Sequence, residues 1–200
     1  MSSEIVFLYD QVIEQLARLQ AFCSMRMTTL AQDTDVEEDV ESLLSILAKR
    51  DLLILAASTR NFADSCDSVS RMKNVNIKTS KILNAIAPPY LTDSEIQVSL
   101  YKCLSRVLHA RSVRILRTKM DFDVLFATIS DDPIQSLVDR GNIHLNDHLL
   151  DPAIVLLTKD DGAIVVLLSR ALAAVHKFMH SEAEQLVARK IYVSQSLRQL

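Results

Sequence analysis

Two hundred residues, 49% of them hydrophobic and 24% charged, are enough to bury one core and describe an ordinary globular chain. A formal net charge of −3 excludes general coating of DNA, which rests on many Lys and Arg contacts to phosphate. Only two glycines occur, Gly141 and Gly162, each in a turn setting, so no glycine-rich phosphate or dinucleotide loop can be built and no cofactor is expected.

In chain order, residues 3–32 predict one long helix, with Ile5, Leu8, Val12, Leu16, Leu19 and Cys23 recurring at three and four and Ser2 or Ser3 as cap. The acidic run Asp33–Asp39 follows, and Thr34 with Glu37 fits a capping box for a second helix over about 35–65. Leu43, Leu44, Leu47, Leu52, Leu55 and Ala56 are its expected buried side, with a break near Arg50–Asp51 allowed. Residues 67–92 are less regular. A short helix or loop is expected over 68–78, and Val75–Thr79 reads as the start of a helix continuing through Ile82, Leu83 and Ile86 until Pro88–Pro89 ends it. Thr92–Glu95 then caps a helix over about 93–110, its apolar positions Ile96, Leu100, Cys103, Leu104, Val107 and Leu108.

After Ala110 the pattern changes. Residues 112–118 alternate in part and predict a strand, with Arg111, Arg114 and Arg117 near its exposed side. Phe122–Ile129 fits helix or strand equally. Two β-branched runs, from Pro152 and from Ala163, flank Lys159–Gly162 and predict a hairpin. A closing helix is expected over about 169–191. The fold class is therefore mainly α (α+β): a helical bundle with a small antiparallel β-hairpin or sheet in the C-terminal third. A single domain is expected over 1–200, divided as bundle (1–110), β element and loops (111–168) and closing helix (169–200).

Cys23, Cys66 and Cys103 are far apart, odd in number and lack any C-x-x-C, which predicts reduced thiols in a cytoplasmic protein, all three buried as small apolar residues. The segment Met1–Glu4 has no signal-peptide character, and the longest apolar run, Ala163–Leu168, is too short to cross a membrane. His176 and His180 stand at i and i+4, but Lys177 holds the place where a zinc protease has glutamate, so the pair predicts two partly exposed helix histidines. His144 and His148 share that spacing near Asp147 and Asp151, with no third histidine or cysteine close in sequence, so no metal is expected. Cys103 and His109 lie about 240° apart on one helix and do not face each other as nucleophile and base.

The functional candidates lie on two helices. Arg60 interrupts the apolar end of the second, in Ser58-Thr59-Arg60-Asn61-Phe62. Lys102, Arg106 and His109 follow the double proline; Arg106 and His109, at i and i+3, share a face, and a protonated His109 suits a helix C-terminus. A helix containing Leu-Ala-x-x-x-Arg-Asn-Phe and another ending Arg-Val-Leu-His-Ala resemble the HEPN superfamily over residues 3–110. The resemblance implies a small helical bundle, often a homodimer, and in many members a ribonuclease with an Arg-x(4–6)-His site doubled across the dimer. Here Lys102 stands where that spacing asks for arginine, Arg106 is three residues before His109, and the literal spacing falls at Arg170 and His176.

No complete catalytic motif is present, so the first expectation is a non-catalytic helical binding or regulatory module. It is expected to be a homodimer, because the apolar face of the first helix, Ile5, Phe7, Leu8, Val12, Ile13, Leu16 and Leu19, is wider than one partner needs. A protein or RNA partner is compatible with this reading; a membrane is not. The alternative is a metal-independent ribonuclease in which His109 exchanges the proton and Arg60, Lys102 or Arg106 holds the scissile phosphate.

Overall fold

The computed structural model describes residues 2–24, 34–82, 95–118, 148–158, 162–191 and 193. Its helices are α1 (Ser2–Ser24), α2 (Thr34–Ser65), α3 (Val69–Asn74), α4 (Leu100–His109) and α5 (Leu168–Ala188). Its strands are β1 (Asn76–Ile82), β2 (Glu95–Ser99), β3 (Ser112–Thr118), β4 (His148–Thr158) and β5 (Gly162–Leu167). The chain is mainly helical, and the strands form one antiparallel sheet in the order β2-β1-β5-β4-β3.

The hairpin expected near the C-terminus is β4–β5, paired from Ala153↔Leu167 to Thr158↔Gly162. The strand expected at 112–118 is β3, which lies against β4. Two expectations need correction: Val75–Ile82 is not a helix, and the helix begun at 93 starts only at Leu100. Ile77 and Thr79 are buried while Lys78 between them is exposed, the two-residue period of a strand with one face covered. Val98 is buried opposite Ile77, and the Thr79 hydroxyl donates to the Ile96 carbonyl at 3.0 Å. The mix of apolar residues there satisfied a helical spacing by coincidence. The sheet therefore takes two strands from the middle of the chain and is larger than a C-terminal hairpin.

One face of the sheet presents Ile77, Val98, Val113, Ile115, Ile154, Leu156, Ile164 and Val166 to the helices, all in a single core with residues of α1, α2, α4 and α5. α5 crosses β1, β4 and β5, and α4 also touches β1 and β4. α1 packs on both α2 and α5. Tyr9 of α1, Phe62 of α2 and Phe178 of α5 form the central aromatic contact, with ring centroids 5.9 and 6.4 Å apart. The Ser58 hydroxyl donates to Gln11 Oε1 at 2.8 Å across the same α1–α2 seam.

α2 and α5 end in the same way without glycine. At α2 the Asp67 amide donates to the Asp64 carbonyl at 3.2 Å and the Ser68 amide to the Ala63 carbonyl at 2.8 Å. At α5 the Lys190 amide donates to the Val187 carbonyl and the Ile191 amide to the Leu186 carbonyl, both at 2.9 Å. These are Schellman closures, and each places a non-glycine residue in the left-handed region, Asp67 at φ 54° and Lys190 at φ 59°.

Two burial expectations also change. The wide apolar face of α1 is used within the chain, because Ile5, Leu8, Val12, Ile13, Leu16 and Leu19 are all buried and only Phe7 among them is exposed. Two partners, α2 and α5, account for its width. On α2, Leu52, Leu55 and Ala56 are buried as expected, but Leu43 and Leu47 are exposed, and so is Ile46. No break occurs at Arg50–Asp51.

The expectations attached to residues 25–32, Leu83, Ile86, 88–89, 92–94, 122–129, Gly141, His144, Asp147 and 159–161 lie outside the described residues. Among the described residues no helix is long and apolar enough to cross a membrane.

Candidate functional site

The N-terminal turn of α4 is set by its sequence. Ser99 is extended and its hydroxyl oxygen accepts from the Lys102 amide at 3.3 Å. The Leu100 amide donates to the Val75 carbonyl at 2.6 Å, which ties the start of α4 to the end of α3. Tyr101 is thereby held at the corner where α2, α3 and α4 meet. Ser105 fixes the next turn, its hydroxyl donating to the Tyr101 carbonyl at 2.7 Å.

Arg60 reaches this corner from α2. Its Nη2 donates to the Tyr101 hydroxyl at 3.2 Å, and its guanidinium carbon lies 4.9 Å from the ring centroid. Lys73, from the last turn of α3, brings Nζ to 5.1 Å from the same centroid. Both distances are in cation–π range. Arg60 Nε is buried and has no hydrogen-bond partner. Among the described residues neither cation meets a carboxylate.

The other residues singled out from the sequence sit along α4. Lys102 is exposed in its first turn, Arg106 is half-buried, and His109 is exposed in the last turn. Arg106 and His109 share a face. Arg60 does not join them: its contact, Tyr101, precedes His109 by eight residues, about 12 Å along the helix axis. Cys103 points inward, and burial pushes its thiol up to about 12 despite the opposing influence of Arg106. A thiol in that state is not a nucleophile near neutral pH. His176 and His180 lie ring to ring at 6.4 Å; His180 is exposed, with Nδ1 3.7 Å from Glu184 Oε1. Among the described residues there is no group of three or more His, Cys, Asp or Glu that could hold a metal ion.

A second polar cluster joins α3 to α5. Arg71 donates from Nε to Glu182 Oε1 at 2.5 Å and from Nη2 to Glu182 Oε2 at 2.7 Å. The Glu182 side chain is 1% exposed. The hydrogen bond to Glu182 raises the Arg71 pKa above the usual arginine range. Nearby Cys66 is pushed up to about 11, chiefly by burial and then by the Glu182 charge. This arrangement clamps a short helix onto the core.

Sequence inspection found Arg60 but not Tyr101 or Lys73. Tyr101 is 41 positions from Arg60, and no local spacing connects them. A half-buried arginine in an apolar stretch was the available signal that a partner had to exist. Comparison with known proteins finds no matching protein family, no matching curated protein and no matching solved structure.

Proposed function

We propose that this chain is a binding module without catalytic activity of its own, and that it works as a homodimer joined through the N-terminal half of α2. The observation that supports this is the ridge Leu43, Ile46 and Leu47, which are 60, 60 and 45% exposed at i, i+3 and i+4 on a helix whose C-terminal half buries Leu52, Leu55, Ala56, Phe62 and Ala63. An apolar helical ridge of that kind is characteristic of a contact surface.

Charge favours a second copy as the occupant. The ridge is preceded by the acidic residues Asp35, Glu37, Glu38, Asp39 and Glu41, and followed by Lys49 and Arg50, both exposed. A two-fold axis across the middle of the ridge pairs Leu43 with Leu47 of the other copy. The same operation sets Arg50 opposite position 39 of the other copy, an aspartate, twice over, because both positions continue the face of the ridge. Arg50 also lies 3.6 Å from its own neighbour Asp51, and Lys49 stands about 100° around the helix from it, away from the ridge. Such an isologous contact closes on itself as a dimer.

The test is the molar mass in solution by sedimentation equilibrium. Wild type is expected as a dimer at micromolar concentration and Leu43→Glu/Leu47→Glu as a folded monomer. A wild-type monomer, or a variant that stays dimeric, overturns the reading.

A further inference from the structure

We propose that the corner formed by Arg60, Lys73 and Tyr101 binds a phosphate monoester group. This site lies about 20 Å along α2 from the ridge and does not depend on the dimer.

Two cations are held around one half-buried phenol at 4.9 and 5.1 Å, from two different helices, with no carboxylate between them among the described residues. The ring offers each some stabilisation, on the order of 0.5–2 kcal/mol, but leaves their charge uncompensated. Arg60 is also partly desolvated, and its Nε has no hydrogen-bond partner. Nε itself is closed off from solvent, so a ligand oxygen meets the outer, Nη end of the guanidinium. Asp64, one turn further along α2, is exposed and outside ion-pair distance of Arg60. The first turn of α4, carrying Tyr101, adds the positive end of its dipole.

The charge selects the ligand. Two unpaired cations match a group of about −1.5 to −2, which is a phosphate monoester near neutral pH, better than a carboxylate or a single diester. Arg60 supplies a planar fork of donors and Lys73 a mobile point charge, the usual division of labour around phosphate. Tyr101 is the contact the two share: its hydroxyl accepts from Arg60, and its ring lies within cation–π range of both. The group could belong to a small phosphorylated molecule or to a phosphorylated side chain, and the chemistry of the corner is the same for both.

The experiment is an NMR titration of the Tyr101 ring signals in the full chain, at constant ionic strength, with sodium phosphate against sodium chloride. Saturable shifts with a Kd on the order of millimolar are expected for phosphate and none for chloride. Lys73→Ala, an exposed position, is expected to weaken binding about tenfold with an unchanged fold, and Tyr101→Phe is expected to weaken it through loss of the hydroxyl anchor. A phosphoserine peptide and a sugar phosphate distinguish the sources; tighter binding of either supports the monoester site. Acetate binding as tightly as phosphate, an unchanged Kd in Lys73→Ala, or tighter binding of an RNA oligomer lacking terminal phosphates would each overturn the proposal.

Discussion

At the residue scale the Arg71–Glu182 pair carries the clearest prediction. Removing Arg71 strands a carboxylate that is 1% exposed. Breaking a fully buried pair costs roughly 3–5 kcal/mol, and the partial exposure of Arg71 lowers the expectation to about 1–3 kcal/mol for Arg71→Ala. Replacing both residues, Arg71→Met with Glu182→Leu, should recover most of that loss. Urea unfolding of the three variants checks this, and equal losses in the single and double variants contradict it. The buried acids make a second prediction. Cys66 is raised from 9 to about 11, Cys103 from 9 to about 12 and Tyr9 from 10 to about 12, each mainly by burial. Below pH 9 both folded and unfolded chains keep the thiol protons. As the pH rises from 9 toward 11 the unfolded chain loses them and the folded chain does not. Stability should therefore hold below pH 9 and fall above it, by about 1.4 kcal/mol per pH unit for each thiol. A urea midpoint that is flat between pH 8 and 10.5 would refute the burial of these groups. Free cysteine behaves as a small apolar residue, so all three thiols were expected inside; Cys66 and Cys103 are buried and Cys23 is only half-buried. The ion pair was not, since its members are 111 positions apart and each is an unremarkable charge on its own helix.

At the element scale the helix ends repay attention because glycine is so scarce. Asp67 and Lys190 each occupy the left-handed region, which is unfavourable by about 1–2 kcal/mol for a residue with a Cβ. Lys190 is exposed and its side chain makes no ion pair among the described residues. Lys190→Gly should therefore stabilise the protein by roughly 0.5–1 kcal/mol, the greater freedom of glycine in the unfolded chain offsetting part of the gain. Thermal unfolding reads this directly, and a lower Tm would argue against the closure. Element type was legible wherever a pattern was long. The extent of α2 and α5 and the strands β3, β4 and β5 follow from periodicity, β-branched runs and capping residues. β1 and β2 were misread because five to seven residues hold too few apolar positions to separate a period of two from one of 3.6. Their strand state is decided by pairing with each other and with β5, which no local window contains.

At the scale of the whole molecule, the sheet explains why most of the apolar face of α1 is used within the chain. The core needs a layer of helices over the sheet and a further helix over that layer, and α1 fills the outer place with both its apolar flanks. The apolar width of α1 was legible; its use for two partners in the same chain was not, because that depends on where α5 lies. Among the described residues the exposed large apolar side chains are Phe7, Leu43, Ile46, Leu47, Ile96 and Val187, and three of them share one face of α2. The arrangement along α4 bears on activity. Arg106 shares a face with His109, whereas Arg60 contacts Tyr101, eight residues earlier and about 12 Å along the helix axis. On the proposed reading of a module without catalytic activity, purified protein is expected to leave mixed RNA intact, with or without a chelator, and His109→Ala to behave as wild type. Cleavage that is lost in His109→Ala would instead establish the ribonuclease reading.

The central claim is that two copies meet through α2 in antiparallel register, and charge reversal tests it most directly. Arg50→Glu sets like charges against each other across the two-fold axis, and sedimentation equilibrium should show a monomer. Adding Asp39→Lys to the same chain reverses the other side and should restore the dimer. A dimer that survives the first substitution, or one that the second fails to restore in a folded protein, contradicts the account.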